Sequence, residues 1–313
     1  MTLISLRTLV LLINNIESRK YSGRLYIVAT PIGNLQDFSP RAISTLQQVD
    51  LIAAEDTRHS GYLLKQHDIN THCIALHEHN ERQSAEKVIQ SVKAGKNIAL
   101  ISDAGTPLVS DPGYHLVKLA HEAGIQVTPV PGPSAMITAL SAAGLPTDRF
   151  CFEGFVPSKS GARKSFYQNY QNETRTMVFY ETPHRIVDSL ADLCEALSPD
   201  RVVVLARELT KTFETIRNDS AENLLTWVKA DPNQQKGEIV LVVQGCSKPQ
   251  ITEISPETER ILRLLMAELS LKQAVKLTVE ITGERKKGVY RAALSVQKEP
   301  EQKDLSSSKC KIF

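Results

Sequence analysis

The sequence predicts an α/β protein with two α/β domains followed by a small helical domain. Short apolar runs alternate with amphipathic segments between Arg24 and Pro131, and each run ends in an unusual loop, most of them rich in glycine, proline or aspartate. Strands that alternate with single helices form parallel sheets covered on both faces. A length of 313 residues, with 42% hydrophobic and 23% charged residues, is enough for about two globular domains.

The first domain is expected at residues 24–132 and is built on a parallel sheet. Its predicted strands are RLYIVA, VDLIAAE, HCIAL, NIALIS and IQVTPV. The amphipathic segments between them predict helices at SPRAISTLQQ, TRHSGYLLKQH, ERQSAEKVIQSVKAG and GYHLVKLAHEAG. The apolar stretch in residues 1–23 is too short and too interrupted to span a bilayer, so we expect a loose N-terminal extension without a membrane role.

The second α/β domain is expected at residues 133–246, with a mixed sheet. It begins with a predicted helix at PGPSAMITALSAAG, in which Pro133 suits the first helical position and Gly144 suits the end. Its predicted strands are RFCFEGF, TMVFYE, DRVVVLARE and GEIVLVVQG. Its predicted helices are GARKSFYQNYQ, PHRIVDSLADLCEAL and SAENLLTWVKA.

The remainder of the chain predicts a helical domain between two less ordered segments. Residues 247–256 are expected to be a linker, residues 257–297 a small helical domain, and residues 298–313 a disordered tail. Within the helical domain Ser270 is expected to cap LKQAVKLTVEIT and Gly283 to end it.

Composition restricts the classes of partner and cofactor. The net charge of +2 leaves no strong electrostatic footprint, so a nucleic-acid partner must be met by a local basic patch. The five cysteines stand singly, which favours reduced thiols in a cytoplasmic protein over a disulfide framework or a zinc site. One further group resembles a metal set, but we expect no metal there because no second ligand group accompanies it: His72, Cys73, His77 and His79.

The loops that follow the first-domain strands predict a ligand site. Ligands of open α/β sheets lie at the carboxyl ends of the strands, and here those ends carry VATPIGNLQD, AEDTRHS, HEHNE, SDAGTPLVSDPG and PVPGPSA. Glycine and proline in such loops let the backbone approach a ligand closely. Neither a G-x-G-x-x-G nor a P-loop motif occurs, and the Asp103 loop contains no lysine for a phosphate. Carboxylates and carbonyls suit amino, hydroxyl or sulfonium groups; the alternative is that Asp103 and Asp111 only form Asx-turns.

Seven segments occur in the order and spacing of a known family. They are LYIVATPIGNLQD, AEDTR, ISDAGTPLVSDPG, VPGPSA, FEGFVP, FYETPHR and ARELTK. Together they resemble the tetrapyrrole-methylase-like (class III) S-adenosylmethionine methyltransferases, in the branch that acts on ribosomal RNA. The resemblance covers about Arg24 to Gly245, and LSLKQAVKLT with TGERKKGVYRAAL resembles that branch's C-terminal helical domain.

The resemblance implies an activity and its partners. It implies two α/β domains around a cofactor cleft, a homodimer, S-adenosylmethionine as cofactor and no metal. It also implies 2′-O-methylation of a cytidine in the decoding region of 16S ribosomal RNA, as free RNA or in the small subunit.

The resemblance also implies which residues bind the cofactor. Asp103, Ala104, Gly105, Thr106 and Pro107 are expected to contact it, and Asp111, Pro112 and Gly113 are expected to shape the return into the next helix. The remaining expected contacts are the helix N-terminus at Ser134 and Ala135, the cleft border at Pro31 and Gly33, and the adenine wall at Tyr180 and Ala206.

A ribose hydroxyl is a poor nucleophile until it loses its proton, so a base or a charge-stabilising group is expected. Lys211 is a candidate to stabilise the developing alkoxide, and Glu208 to orient it. The other candidates are Glu55, Asp56, Arg58 and Arg207. The alternative for all of them is a structural ion-pair network between the domains.

Basic clusters predict where RNA phosphates bind, with a solvated charged face as the alternative. The candidates are Lys159, Arg163, Lys164 and Arg185 in the second domain, and Arg285, Lys286, Lys287 and Arg291 in the helical domain. Two other functions stay open. The first is carbon methylation of a tetrapyrrole, which the basic helical domain disfavours because such an enzyme has no obvious use for it. The second is a non-catalytic ribosome-assembly factor that binds S-adenosylmethionine, which the intact AEDTR and ARELTK segments disfavour.

Overall fold

The computed structural model describes residues 23–77, 80–246 and 254–298. The chain divides into two compact units, one up to Gly245 and one from Cys246. Most of the expected N-terminal extension, most of the linker and nearly all of the expected tail lie outside the described residues.

The first sheet contains five parallel strands, as the sequence predicts. Their bounds are β1 Arg24–Val28, β2 Leu51–Ala54, β3 Cys73–Ala75, β4 Ile98–Ile101 and β5 Gln126–Val130. Their order is β3-β2-β4-β1-β5, and every pairing is parallel. All four residues of β4 are buried, which explains why its sequence is a continuous apolar run without alternation. β1 and β4 are neighbours, so the loops that leave them meet at one edge.

Four helices cover the two faces of the first sheet: α1 Pro40–Gln48, α2 Thr57–Gln66, α3 Glu81–Lys93 and α4 Tyr114–Glu122. α1 and α2 pack with Val28 and Ile52 on one face, and α3 and α4 pack with Leu25 and Leu100 on the other. Side-chain caps fix the starts of the first two helices. Ser39 accepts from Ala42 N–H, and Asp56 accepts from the N–H groups of Arg58 and His59.

The second sheet is mixed, as predicted, but it has one strand more than the sequence indicates. Its strands are β6 Phe150–Phe155, β7 Thr176–Glu181, β8 Val202–Arg207, β9 Thr215–Ser220 and β10 Ile239–Val243. In the order β6-β7-β10-β8-β9, β6 and β7 are parallel and the other pairs are antiparallel. The strand that sequence analysis missed is β9. Its sequence TIRNDS has one large apolar residue and therefore no hydrophobic alternation.

Helices also cover both faces of the second sheet. α6 Ser160–Gln168, α7 Ile186–Ala196 and α8 Ala221–Ala230 pack on one face, and α5 Ala135–Ala142 packs on the other. α5 begins after Ser134, so the prediction that Pro133 is its first helical residue is wrong by two positions. Ile32, from the loop after β1, packs into the same cluster as α5. The carboxyl edge of the first sheet therefore adjoins the second sheet.

The second unit contains three helices in its described part: α9 Pro256–Glu268, α10 Leu271–Thr282 and α11 Lys286–Lys298. They share a core that includes Leu262, Val275 and Val289. Gly283 ends α10 in the left-handed conformation, as predicted. Ser270 occupies the N-cap position, but its hydroxyl donates to Gln273 Oε1 (2.7 Å) and caps no backbone N–H within the described chain. Among the described helices of the whole chain, none combines the length and apolar character that a membrane crossing requires.

Candidate cofactor cleft

A cavity of about 370 Å³ lies where the carboxyl edge of the first sheet meets the second sheet. The loops after β2 and β4 and the start of α5 form one side, and residues at the ends of β6, β7 and β10 form the other. This is the edge at which ligands of open α/β sheets bind.

Backbone hydrogen bonds hold the Asp103 loop in the cavity wall. Thr30 N–H donates to Gly105 O (2.8 Å), and Gly105 N–H donates to Thr30 O (3.1 Å). Gly105 has φ +82, a left-handed conformation that other residues adopt only with strain. The Thr106 hydroxyl donates to Pro133 O (3.0 Å), which ties this loop to the segment that leads into α5. The loops after β1, β4 and β5 are thereby joined.

Seven of the eleven predicted cofactor residues line the cavity, and four do not. Asp103, Ala104, Gly105, Thr106, Ser134, Ala135 and Tyr180 line it. Pro31 and Pro107 are buried outside the lining, and Gly33 is exposed beside the Lys211 side chain. Ala206 is exposed neither to solvent nor to the cavity. It packs in the core with Val204 and Val240. The expectation that Ala206 walls the adenine is therefore corrected, and Leu209 and Val240 lie in the lining instead.

Five carboxylates line this cavity: Glu55, Asp103, Asp111, Glu181 and Glu238. Asp103 Oδ1 accepts a hydrogen bond from Asp56 N–H (3.0 Å). Burial, followed by the nearby charge of Asp103, raises the pKa of Glu55. Burial raises the pKa of Asp111 to about 6; a hydrogen bond from Ser102 lowers this value, and the Glu55 and Asp103 charges add to the rise. Asp111 is thus a cavity residue as well as a turn residue, which corrects its assignment to the turn alone.

The loop that carries Asp111 has a strained backbone. Leu108 (φ 72) and Ser110 (φ 66) adopt left-handed conformations, which are uncommon for residues other than glycine. Gly113, with φ +123, follows as the N-cap of α4, where an added Cβ would lie 2.6 Å from Leu100 Cδ2. Strain of this kind persists where the surrounding structure enforces it, and it clusters at functional sites.

Stability is expected to fall as pH rises through the titration of Asp111. Its folded pKa of about 6 exceeds the ordinary 3.8, so the folded state holds a proton that the unfolded state has released between these values. The buried Asp111 charge therefore does not reduce the free energy of unfolding below about pH 3.8, and it reduces it by the full amount above about pH 6. After allowance for solvent screening, we expect Asp111→Asn to be more stable than the unchanged protein by about 1 kcal/mol at about pH 8, and by less at about pH 5. Denaturant unfolding at both pH values measures this, and an equal difference at both contradicts it.

An ion-pair network lies beside the cavity. Lys211 Nζ donates to Glu208 Oε1 (2.8 Å) and to Glu238 Oε2, and Glu238 lines the cavity mouth. Burial raises the pKa of Glu208, but the hydrogen bonds from Lys211 and Glu238 N–H outweigh it, so the pKa is lowered overall. A Cβ on Gly33 would lie 2.5 Å from Lys211 Cγ, so the first-domain loop provides the space for this lysine. These contacts match the ion-pair alternative for Glu208 and Lys211; their catalytic role stays a prediction.

Two other catalytic candidates lie away from the cavity. Arg207 is buried and donates to the carbonyls of Lys236 and Phe213 and to the Thr215 hydroxyl, so it braces loops at the end of β8. The side chain of Arg58 is 91% exposed and pairs with Asp56 (3.1 Å). Neither Arg207 nor Arg58 lines the cavity, whereas Glu55 does, and the catalytic roles of all three stay predictions.

A model of known families matches most of the first unit. Residues 24–225 match the family described as Tetrapyrrole (Corrin/Porphyrin) Methylases. The chain belongs to the tetrapyrrole methylase family. Residues 252–297 match a second model, the RsmI C-terminal HTH domain.

Relatives define the branch of the tetrapyrrole methylases. The chain is 56% identical over 275 residues to Ribosomal RNA small subunit methyltransferase I of Escherichia coli O157:H7, covering 88% of this chain and 96% of the relative. It is 54% identical to the protein of the same name from Haemophilus influenzae, covering 88% and 97%. Uroporphyrin-III-C-methyltransferase from Thermus thermophilus superposes with a TM-score of 0.51 at 19% identity, covering 71% of this chain and 94% of that structure, which shows the fold alone.

The cavity of this methylase fits S-adenosylmethionine, the cofactor of the family. Among the described residues that line it, none is Lys, Arg or His, so it offers no cation for a phosphate. Carboxylates of Glu55 and Asp103 complement the positive sulfonium and amino groups. Ile32, Phe155 and Tyr180 supply apolar surface for a nucleobase.

The predicted RNA-binding residues of the first unit divide by burial. Lys159 is exposed before α6. Arg163 has a side chain only 3% exposed and pairs with Asp192 (2.7 Å), so the expectation that it contacts RNA is corrected. Lys164 pairs with Glu195 (2.6 Å), and Arg185 pairs with Glu181 (3.0 Å).

The predicted RNA-binding residues of the second unit are all exposed. They are Arg285, Lys286, Lys287 and Arg291, at the start of α11. Among the described residues of the whole chain, no group of three or more His, Cys, Asp or Glu side chains could hold a metal ion; His79 lies outside them.

Sequence analysis missed two lining residues with clear chemistry. Phe155 is 55% exposed at the cavity, and its ring lies 5.4 Å from that of Tyr180. An irregularity in the β6–β7 pairing between Phe152 and Phe155, at Gly154 (φ +70), redirects the strand there. Glu238 is the second. The glycine in FEGFVP was the available signal for Phe155, whereas the place of Glu238 depends on β10 pairing between β7 and β8.

Proposed function

We propose that this methylase transfers a methyl group from S-adenosylmethionine to the ribose 2′-hydroxyl of a cytidine in the decoding region of 16S ribosomal RNA. The observation that carries the proposal is the cavity, which is lined by carboxylates and backbone and contains no cationic side chain among its described lining residues. The chain that forms this cavity is 56% identical to a ribosomal RNA small subunit methyltransferase. The tetrapyrrole alternative rests on a relative that shares the fold at 19% identity.

The proposed binding mode follows from the chemistry of the lining. Asp103 and the backbone of Ala104 and Thr106 accept from, or donate to, the ribose and amino groups. Gly105, whose N–H and carbonyl are bound to Thr30, holds the loop in place. The α5 N-terminus provides backbone N–H groups for a carboxylate, because Ser134 caps none of them with its side chain in the described chain. When bound, the cofactor supplies a methyl carbon already activated by the sulfonium. The protein contributes alignment, which is worth roughly 7–11 kcal/mol of a reaction barrier.

Basic residues outside the cavity are proposed to hold RNA. Lys159 in the first unit and Lys286, Lys287 and Arg291 in the second are exposed and carry no acidic partner in the ion pairs of the described chain. Phosphate contacts release counterions, so binding should weaken steeply with salt. We expect Lys286→Ala with Lys287→Ala to reduce the affinity for small ribosomal subunits and to lower the salt slope by about 2.

The direct test is transfer of a labelled methyl group to small ribosomal subunits or naked 16S ribosomal RNA, followed by nucleoside mass spectrometry. One 2′-O-methylcytidine is the expected product. Asp103→Ala is expected to weaken S-adenosylmethionine binding about 10-fold to 100-fold, because hydrogen bonds to charged groups contribute roughly 1.5–3 kcal/mol. Calorimetry measures the affinity, with Asp37→Ala, an exposed aspartate outside the cavity, as the matched control. Methylation of a tetrapyrrole but of no RNA would reject the proposal.

We also propose that the protein is cytoplasmic, since the proposed substrate is a ribosomal component, and that it forms a homodimer. α5 supports a self-association surface: its sequence AMITALSA is almost wholly apolar, yet Ile137 is 49% exposed. Light scattering on the purified protein tests the stoichiometry. We expect Ile137→Asp to shift the mass toward the monomer.

A further inference from the structure

We infer that Asp111 is the general base that takes the proton from the ribose hydroxyl, an inference that rests on the proposed function. In the step, the hydroxyl O–H bond breaks and its proton passes to an Asp111 carboxylate oxygen. The hydroxyl oxygen forms the new bond to the methyl carbon, and the carbon–sulfur bond breaks with its electron pair left on sulfur. Proton and electron counts balance without a further reactant.

Asp111 differs from the other four carboxylates of the lining in its partners. Two of those four pair with cations: Glu181 with Arg185 (3.0 Å) and Glu238 with Lys211. Asp103 already accepts Asp56 N–H and belongs to the loop bound to Thr30. The Glu55 carboxyl lies within range of the Asp56 and His77 charges. Asp111 lines the cavity, and the residue before it reaches the second sheet: a Cβ on Gly154 of β6 would lie 3.5 Å from Ser110 Oγ. The first-sheet loop therefore carries Asp111 to the side of the cavity that the second sheet forms.

The surroundings of Asp111 suit a proton acceptor. Ser102, itself 2% exposed, lies at the end of β4, and its hydroxyl donates to Ala104 O (3.4 Å) within the loop that leads to Asp111. The left-handed Leu108 and Ser110 fix the loop that carries it. Glu55, Asp103 and Tyr180 are the titratable groups that face it, and none supplies a cation that would hold its proton away. A base whose pKa is near the operating pH is the most efficient in proton transfer.

The test compares Asp111→Asn with the unchanged protein in three measurements: single-turnover methylation of small ribosomal subunits, S-adenosylhomocysteine affinity by calorimetry, and unfolding. We expect the methylation rate to fall about 100-fold to 10,000-fold, as loss of a general base does. We expect the affinity to change less than about threefold. We expect Asp111→Glu to recover part of the rate. Asp200→Asn, an exposed aspartate in the turn before β8, is the matched control and should retain the full rate.

The outcomes separate this inference from the proposed function. An Asp111→Asn variant with a low methylation rate, intact S-adenosylhomocysteine affinity and undiminished stability supports the role of Asp111 as the base, because a folding defect cannot produce that combination. An Asp111→Asn protein that retains its rate, while Glu55→Gln loses it, overturns the inference and leaves the proposed function standing. A large loss of S-adenosylhomocysteine affinity also overturns it, since Asp111 then serves binding. An unchanged protein that methylates no RNA rejects the proposed function itself.

Discussion

Asp192→Ala is expected to lower the free energy of unfolding by about 3–5 kcal/mol, the effect of removing one partner from a buried ion pair. Asp192 on α7 accepts hydrogen bonds from Arg163 Nε (2.7 Å) and from the Ser160 hydroxyl (3.1 Å) of α6. The Arg163 and Asp192 side chains are only 3% and 8% exposed. Alanine at position 192 therefore leaves a buried guanidinium without its counter-charge. Denaturant unfolding followed by circular dichroism measures the loss.

A neighbouring pair on the same two helices supplies the control. Glu195 on α7 pairs with Lys164 on α6 (2.6 Å), but both side chains reach solvent. Glu195→Ala is expected to leave the unfolding midpoint nearly unchanged because exposed pairs contribute little. The double variant Arg163→Met with Asp192→Leu is expected to recover most of the lost stability, since an apolar pair can replace a buried ionic one. Equal losses in Asp192→Ala and Glu195→Ala would contradict the buried-pair account.

This pair illustrates what the sequence could not reveal about the site. Within PSKSGARK, Arg163 and Lys164 are adjacent and both suggest a surface patch, yet the helical period turns one inward and the other outward. The partner that explains Arg163 lies 29 positions further along the chain. Sequence periodicity predicts the buried face of α6. It does not show that Arg163 on that face is structural, because this depends on the position of Asp192 in the folded protein.

The fold was more accessible because strands buried on both faces of a sheet carry continuous apolar runs. β1, β4 and the central strands of the second sheet are visible as such, and the polar edge strand β9 is not. For the site, glycine and proline marked the ligand edge correctly. The same turn chemistry concealed Asp111, because an Asp-Pro-Gly sequence is explained by a turn whether or not its carboxylate also faces a cavity.

Gly237→Ala is expected to lower the free energy of unfolding by about 3 kcal/mol and to disturb the cavity mouth. Gly237 has φ +81, and an added Cβ would lie 2.2 Å from Glu208 Oε1 and 2.5 Å from Glu208 Cγ. Glu208 itself has φ 52, and its Oε1 accepts from Glu238 N–H (3.0 Å) and from Lys211. The methyl group cannot be accommodated unless the Glu208 side chain leaves both donors. Lys211 then loses one of its two carboxylates, and the Glu238 N–H loses its acceptor, which leaves the bond from Glu208 N–H to Glu238 O (2.9 Å).

Two other glycines separate the contributions to this effect. Gly124 has φ +67 with open space around its Cβ position, so Gly124→Ala measures left-handed strain alone, expected to cost about 1 kcal/mol. Gly61 lies inside α2 with no atom within 4 Å, and Gly61→Ala should stabilise by about 0.5–1 kcal/mol. The loss in Gly237→Ala beyond that in Gly124→Ala therefore measures the Glu208 network. If the two losses are equal, Glu208 can move without cost, and the network does not hold the cavity mouth.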